Sequence, residues 1–156
     1  MEQFDISLFA ILKIVLTGIF IYVIAPLLLV LRDMLLLKSI ERWILTSELS
    51  FNINICESDR WYLNNKYQKK RAIKFPVSGG EPKYELDGEQ VSKKEYDEYE
   101  AGLKTHQNRF QLLDSKINSR HNFIFWLTRH YKQDGTKSPI PIWREEAYQR
   151  KEQDNE

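Results

Sequence analysis

The hydrophobic pattern divides the chain into two unequal parts. Apolar residues run from Ile6 to Leu12, pause at Lys13, and continue unbroken by charge from Ile14 to Leu31. Past Ser47–Ser50 the character changes, and the rest is polar, aromatic-rich and dense in Lys and Glu. Eighteen residues in an α-helix, 14–31, cover about 27 Å, close to the ~30 Å hydrocarbon core of a bilayer. Lys13 can snorkel, laying its aliphatic stem along the helix and its ammonium among head groups. A soluble core would need apolar neighbours on every side of such a helix, and the remaining sequence holds too few Leu, Ile, Val and Phe to supply them. The segment therefore reads as a transmembrane helix. Glu2 and Asp5 before the apolar run, its length, and the lack of an Ala-x-Ala site afterwards disfavour a cleaved signal peptide.

Within the span, Pro26 predicts a mild kink, since neighbouring backbone can adjust around the missing donor. Gly18 and Ala25 are seven residues apart, two helical turns, and with Pro26 they form a candidate small-residue strip for a partner helix. Arg32, Lys38 and Arg42 follow the span, which places the carboxyl-terminal portion on the cytoplasmic side, in a bacterium the inner-membrane face. The stretch "RDMLLLKSIERWILTS" continues the helical pattern. It can lie on the membrane surface or pack on the soluble part.

Beyond residue 48 the pattern shortens. "SFNINIC" alternates Phe51, Ile53 and Ile55 with asparagines, the period of a half-buried strand. "RWYLNNKYQKKRAIKFPV" reads as two short strands about Asn64–Asn65, and "SGGEP", 78–82, as a loop. "KYELDGEQV" is a hairpin turning at Asp87–Gly88. "VSKKEY" is a capping box with Ser92 as N-cap and Glu95 three residues on. The helix it opens carries Tyr96, Tyr99, Leu103, His106, Phe110, Leu113 and Ile117 at alternating spacings of three and four, a heptad seam. This aromatic seam, with Gly102 beside it, suits packing on the sheet better than a dimeric coiled coil. "SRHNFIFWLTRHYK", 119–132, mixes aromatic and basic residues as an interfacial helix does, or else ends the core helix, with a stop expected at Asp134–Gly135. From Thr136 the chain is broken by Pro139 and Pro141 and then charged, and its last ten residues read as disordered.

The expected fold is thus α+β: one amino-terminal transmembrane helix, then a small antiparallel sheet of three to five strands packed with one long helix. Residues 1–48 form the span and its extension, 49–133 a cytoplasmic α+β domain, and 134–156 a Pro-containing, charged, partly disordered tail.

Composition adds little, because the net charge of +1 averages two unlike halves. The lone Cys56 excludes an internal disulfide. His121 and His130 have no carboxylate companion at metal-ligand spacing, and His106 on the apolar seam reads as a satisfied, half-buried histidine. Gly79–Gly80 lacks the Lys-Ser/Thr of a phosphate loop. The carboxylates Glu95, Asp97, Glu98 and Glu100 read as a solvated face at a helix start. No enzyme, cofactor or metal is expected. The basic cluster Lys66, Lys69, Lys70, Arg71 and Lys74 suits anionic head groups at about 1 kcal/mol per charge. Nucleic acid is disfavoured by the neutral balance and the Glu-rich helix nearby. The expected role is that of a membrane-anchored binding protein working with a protein partner or a second copy. An accessory subunit, or an immunity or exclusion factor of a bacterium or its virus, suits this size and layout. The alternative is a membrane-perturbing effector whose amino-terminal helices assemble in the bilayer.

Overall fold

A computed structural model describes residues 8–76, 79–132 and 137–155. Helix α1 (Leu8–Ile19) and helix α2 (Ala25–Trp43) are joined without a break by a π-helical turn, Phe20–Ile24. The Ala25 N–H reaches Phe20 O, five residues back. This wide turn immediately precedes Pro26, which has no N–H to donate, and local π geometry is a recognised way to accommodate such a gap. The joined helix Leu8–Trp43 is long and apolar enough to cross a membrane, and none of its most apolar 18-residue window is buried.

The remaining elements are α3 (Ser47–Asn65), β1 (Arg71–Lys74), β2 (Lys83–Leu86), β3 (Glu89–Val91), α4 (Lys93–His130) and α5 (Ile140–Gln153). The strands form one antiparallel sheet in the order β1-β2-β3, with Arg71 opposite Leu86 and Tyr84 opposite Val91. The hairpin turns where expected: Asp87 and Gly88 both take positive φ, 56° and 89°. The capping box is also present, with Ser92 Oγ accepting the Glu95 N–H at 3.2 Å. Its helix α4 runs 38 residues, about 57 Å. An apolar helix, a three-stranded sheet and a long helix are therefore all in place.

Three local expectations fail, each for a physical reason. "SFNINIC" is not a strand but lies inside α3. Its alternation is incidental: Phe51 is exposed, whereas Leu49, Ile53 and Cys56, at helical spacing, are buried. Thr46 supplies the N-cap, its hydroxyl accepting from the Leu49 N–H at 3.3 Å. Asn64 and Asn65 end that helix and make no hairpin, so the expected pair of strands reduces to β1 alone. The tail is not disordered through its last ten residues, because α5 continues to Gln153 and buries Ile140 and Ala147. There Pro139 and Pro141 sit at the helix start, where a missing N–H costs nothing. The expected stop at Asp134–Gly135 falls outside the described residues; Tyr131 closes α4 and Lys132 adopts φ 56°.

The core is mostly helical. Ile40, Leu49, Ile53, Cys56, Leu113, Ile117, Ile124, Ile140 and Ala147 form one cluster drawn from α2, α3, α4 and α5. Helix α3 lies in the middle, packed on α4 along one side and α5 along the other. The residues after the span are thus part of the folded body. Replacing Ile117, fully buried, with Ala should cost about 2–5 kcal/mol of unfolding free energy. Replacing the exposed Leu112 of the same helix should change it by no more than about 0.5 kcal/mol. Denaturation of the full chain in detergent micelles, followed by circular dichroism, measures both.

Candidate functional site

Glu57 and Asp59 of α3 are both fully buried. Two residues along an α-helix are about 200° apart, so the carboxylates leave α3 on opposite sides. Asp59 faces α4, where Arg109 grips it in a fork: Nε donates to Oδ2 at 2.6 Å and Nη2 to Oδ1 at 2.5 Å. His106 Nδ1 lies 2.7 Å from the same Oδ1. Glu57 faces α5, where Arg144 Nε donates to its Oε1. Arg60, one turn along α3, donates to Oε2 at 3.3 Å. Arg144 also reaches α4, pairing with Asp114 at 2.8 Å and donating to Asn118 Oδ1 at 3.3 Å. Each buried carboxylate thus meets charge-assisted donors, the condition under which a buried ion is tolerated.

The electrostatics hold the two arginines charged. Burial pulls Arg144 down, but hydrogen bonds and attraction from Glu57 and Asp114 outweigh it and leave its pKa above the usual value. Asp59 raises Arg109 in the same way, chiefly through their hydrogen bonds. Burial, reinforced by repulsion from Glu57, pushes the neighbouring Cys56 thiol up from 9.0 to about 12. A thiol that keeps its proton is a poor nucleophile at neutral pH.

A wall of aromatic rings continues from this network. The His106 ring packs 4.8 Å from that of Tyr62 and 5.3 Å from that of Tyr67. Tyr67 lies against Gly102, where an added Cβ would collide with its hydroxyl and sit 3.0 Å from Cζ. Tyr67 also contacts Tyr99, whose hydroxyl accepts the Lys69 N–H at 3.0 Å. His106 is thus the half-buried, satisfied residue its place on the seam suggested. Among the described residues, no three His, Cys, Asp or Glu side chains are grouped to hold a metal.

The seam of α4 is used within the chain. Tyr96 meets Tyr84 of the sheet, Tyr99 and His106 meet the end of α3 and the loop after it, and Phe110, Leu113 and Ile117 join the helical core. Leu103 is half-buried on the same line. Packing on the sheet is confined to the first turns, because three short strands cannot cover a 38-residue helix, and α3 packs on the part beyond.

The last turns of α4 run antiparallel to the outgoing turns of α2. Arg120 Nη1 donates to Ile44 O and Thr46 Oγ1, each at 3.4 Å. Ile124 faces Leu37, Ile40 and Leu45 across a shallow cleft. The Arg32 guanidinium sits 5.3 Å from the centre of the Tyr131 ring. The far end of α4 therefore returns to the residue that closes the uncharged span. This geometry separates the basic cluster from any bilayer around that span. Lys69 is held beside Tyr99, and Tyr99 to Tyr131 is about 48 Å of helix. Lys74 is paired with Glu85 at 2.7 Å and Arg71 with Glu100 at 3.9 Å. Lys66, Lys69, Lys70, Arg71 and Lys74 thus lie at the end of α4 remote from the contact between Arg32 and Tyr131.

A π-helical turn lies between Gly18 and Ala25 of the small-residue strip. In an unbroken α-helix Gly18 and Ala25 would share a face, but the π turn between them adds roughly one residue of rotation, about 100°. A Cβ at Gly18 would meet no atom within 4 Å.

Sequence reading missed Glu57, Asp59, Arg109, Asp114 and Arg144. The strand assigned to "SFNINIC" hid them. Read as a helix, Leu49, Ile53 and Cys56 mark a buried face that runs directly into two carboxylates, and buried carboxylates require partners.

Arg144→Met should destabilise the fold by about 3–5 kcal/mol by stranding Glu57, while adding Glu57→Gln should recover part of the loss; a double-mutant denaturation cycle reads both. Cys56 keeps its proton in the folded chain to about pH 12, whereas the unfolded chain releases it near 9.0. Its contribution to stability is therefore full below pH 9 and lost as pH rises from 9 towards 12. Cys56→Ala should flatten the alkaline part of the stability profile, and a thiol reagent at pH 8 should modify Cys56 only on unfolding. Comparison with protein-family models, with curated proteins and with solved structures finds no significant match for this chain.

Proposed function

We propose that this chain is a single-pass, membrane-anchored binding protein without chemistry of its own, built as a helical stalk on the bilayer with a small sheet at its far end. The observation that carries this reading is the contrast between the exposed Leu8–Trp43 helix and the packed core that begins at Ile40. An apolar helix with no buried window needs a solvent other than water, and a bilayer is the one that fits its length. Charge supports a cytoplasmic carboxyl-terminal portion: Arg32, Lys38 and Arg42 follow the span, and folding brings Arg129 and Lys132 down beside them.

A partner is best offered the tip. Strand β1 is exposed along its whole length and lies at the edge of the sheet. Ile73 and Phe75 are exposed there among Lys66, Lys69 and Lys70. An edge strand carries unpaired backbone groups that another chain can complete, with the basic side chains selecting an acidic partner. An accessory subunit of a membrane complex, or an immunity or exclusion factor in a bacterial inner membrane, would use such a layout. The alternative, a membrane-perturbing effector whose amino-terminal helices assemble in the bilayer, has less support, because residues 14–31 carry no charge on any side and a π turn separates Gly18 from Ala25.

The chain should remain in the membrane pellet through alkaline carbonate extraction. Protease added outside sealed spheroplasts should leave residues beyond Arg32 intact. Photocrosslinkers at Lys70 or Phe75 should trap a protein that crosslinkers at Leu112 do not. A full-length chain found as a soluble monomer after detergent-free lysis refutes the reading.

A further inference from the structure

The end of α4 carries a face that no other element covers among the described residues. Phe123, Trp126 and His130, at i, i+3 and i+7, form one stacked ridge: the first two rings are 5.9 Å apart and the second two 5.4 Å. Phe123 and Trp126 are about half exposed, as is Phe125 on the other flank. The buried positions Ile124 and Thr128 lie between these flanks, so the helix is already seated by its inner face. Burial inside this chain therefore does not account for the outer rings.

We infer that this ridge is a second membrane contact, an aromatic anchor that rests in the head-group layer and fixes how the spanning helix leans. The inference rests on the proposed membrane anchoring. Two observations choose lipid as the occupant. The first is continuity: Arg32 beside Tyr131 puts the end of α4 level with the end of the uncharged span, and Trp126 follows only about 7.5 Å further from it. The second is charge: exposed Arg129 and Lys132 adjoin the rings along the chain, and exposed Lys38 and Arg42 lie on the adjoining helix. Aromatic rings with basic neighbours match the mixed apolar and anionic character of that layer.

Counted with the turns on both sides of Lys13, the apolar helix is long enough to lean. Leu8–Leu31 is about 36 Å of helix against a hydrocarbon core of ~30 Å, an excess that tilting relieves. Length does not choose the direction of tilt; interfacial side chains do. A tilt towards the α4 side lowers Trp126 and Phe123 into the head groups, whereas any other direction lifts them into water. The ridge thus converts an over-long helix into one with a defined rotation, and so sets where the distal sheet is held above the membrane.

The test uses the full-length chain in nanodiscs of zwitterionic and anionic phospholipid, with tryptophan emission quenched either by brominated acyl chains or by aqueous iodide. The Trp126→Phe variant isolates the signal of Trp126 from the other three tryptophans, and at an exposed position it leaves the core intact. The emission lost in Trp126→Phe should be the part that brominated lipid quenches and iodide does not. If that emission is instead quenched by iodide, the ridge stands in water and the inference is wrong. If neither quencher reaches it and crosslinks form between copies through position 126, a second chain covers the ridge and the inference is again wrong. Failure of the protein to enter nanodiscs at all would refute the anchoring itself, a result distinct from both.

Discussion

The pairing of two buried carboxylates with arginines on separate helices organises this molecule. Glu57 and Asp59 leave α3 in opposite directions, and each must find a cation because an unpaired buried charge costs several kcal/mol. Asp59 finds Arg109 on α4, and Glu57 finds Arg144 on α5. Leu49, Ile53, Ile117 and Ile140 supply the apolar attraction, which has no direction of its own. The ion pairs supply direction: they fix the register at which α4 and α5 slide along α3. Arg144 closes the arrangement by also holding Asp114, so that α5 touches both other helices.

How much of this was readable in the sequence depended on the range of the cause. Features set by neighbouring residues were legible. The apolar span, the turn at Asp87–Gly88, the Ser92 cap and the seam of α4 all follow from local chemistry, and all are present. "SFNINIC" misled because seven residues cannot distinguish a period of two from a helix whose buried face is chosen by distant partners. The tail misled because Ile140, Trp143 and Ala147 are a few apolar positions in a charged stretch, and contact with the distant helical core, chiefly α3, is what buries Ile140 and Ala147. The ionic network was illegible for the same reason, since Asp59 and Arg109 are 50 positions apart and Glu57 and Arg144 are 87. The basic cluster was visible as a cluster, but its distance from the span depended on the course of α4.

The two ends of α4 have different surroundings. Its amino end carries the sheet and the basic residues, and its carboxyl end lies beside the exit of the apolar helix. A helix of 38 residues separates these environments by more than the thickness of a bilayer core. A rigid spacer of this kind holds the tip at a set height, where a flexible linker would let it sweep through a volume.

The position of Arg144 has a consequence for biosynthesis. Glu57 lies in the first helix after the span, and Arg144, which pairs with it, lies 87 positions further along. A ribosome must translate into α5 before Arg144 can reach that carboxylate, by which time the apolar segment has left the exit tunnel. Membrane insertion and completion of the folded body are therefore separate events in time. A product cut short before α5 would keep its apolar segment yet leave buried Glu57 with Arg60 alone, without the Arg144 contact that ties α5 to α3.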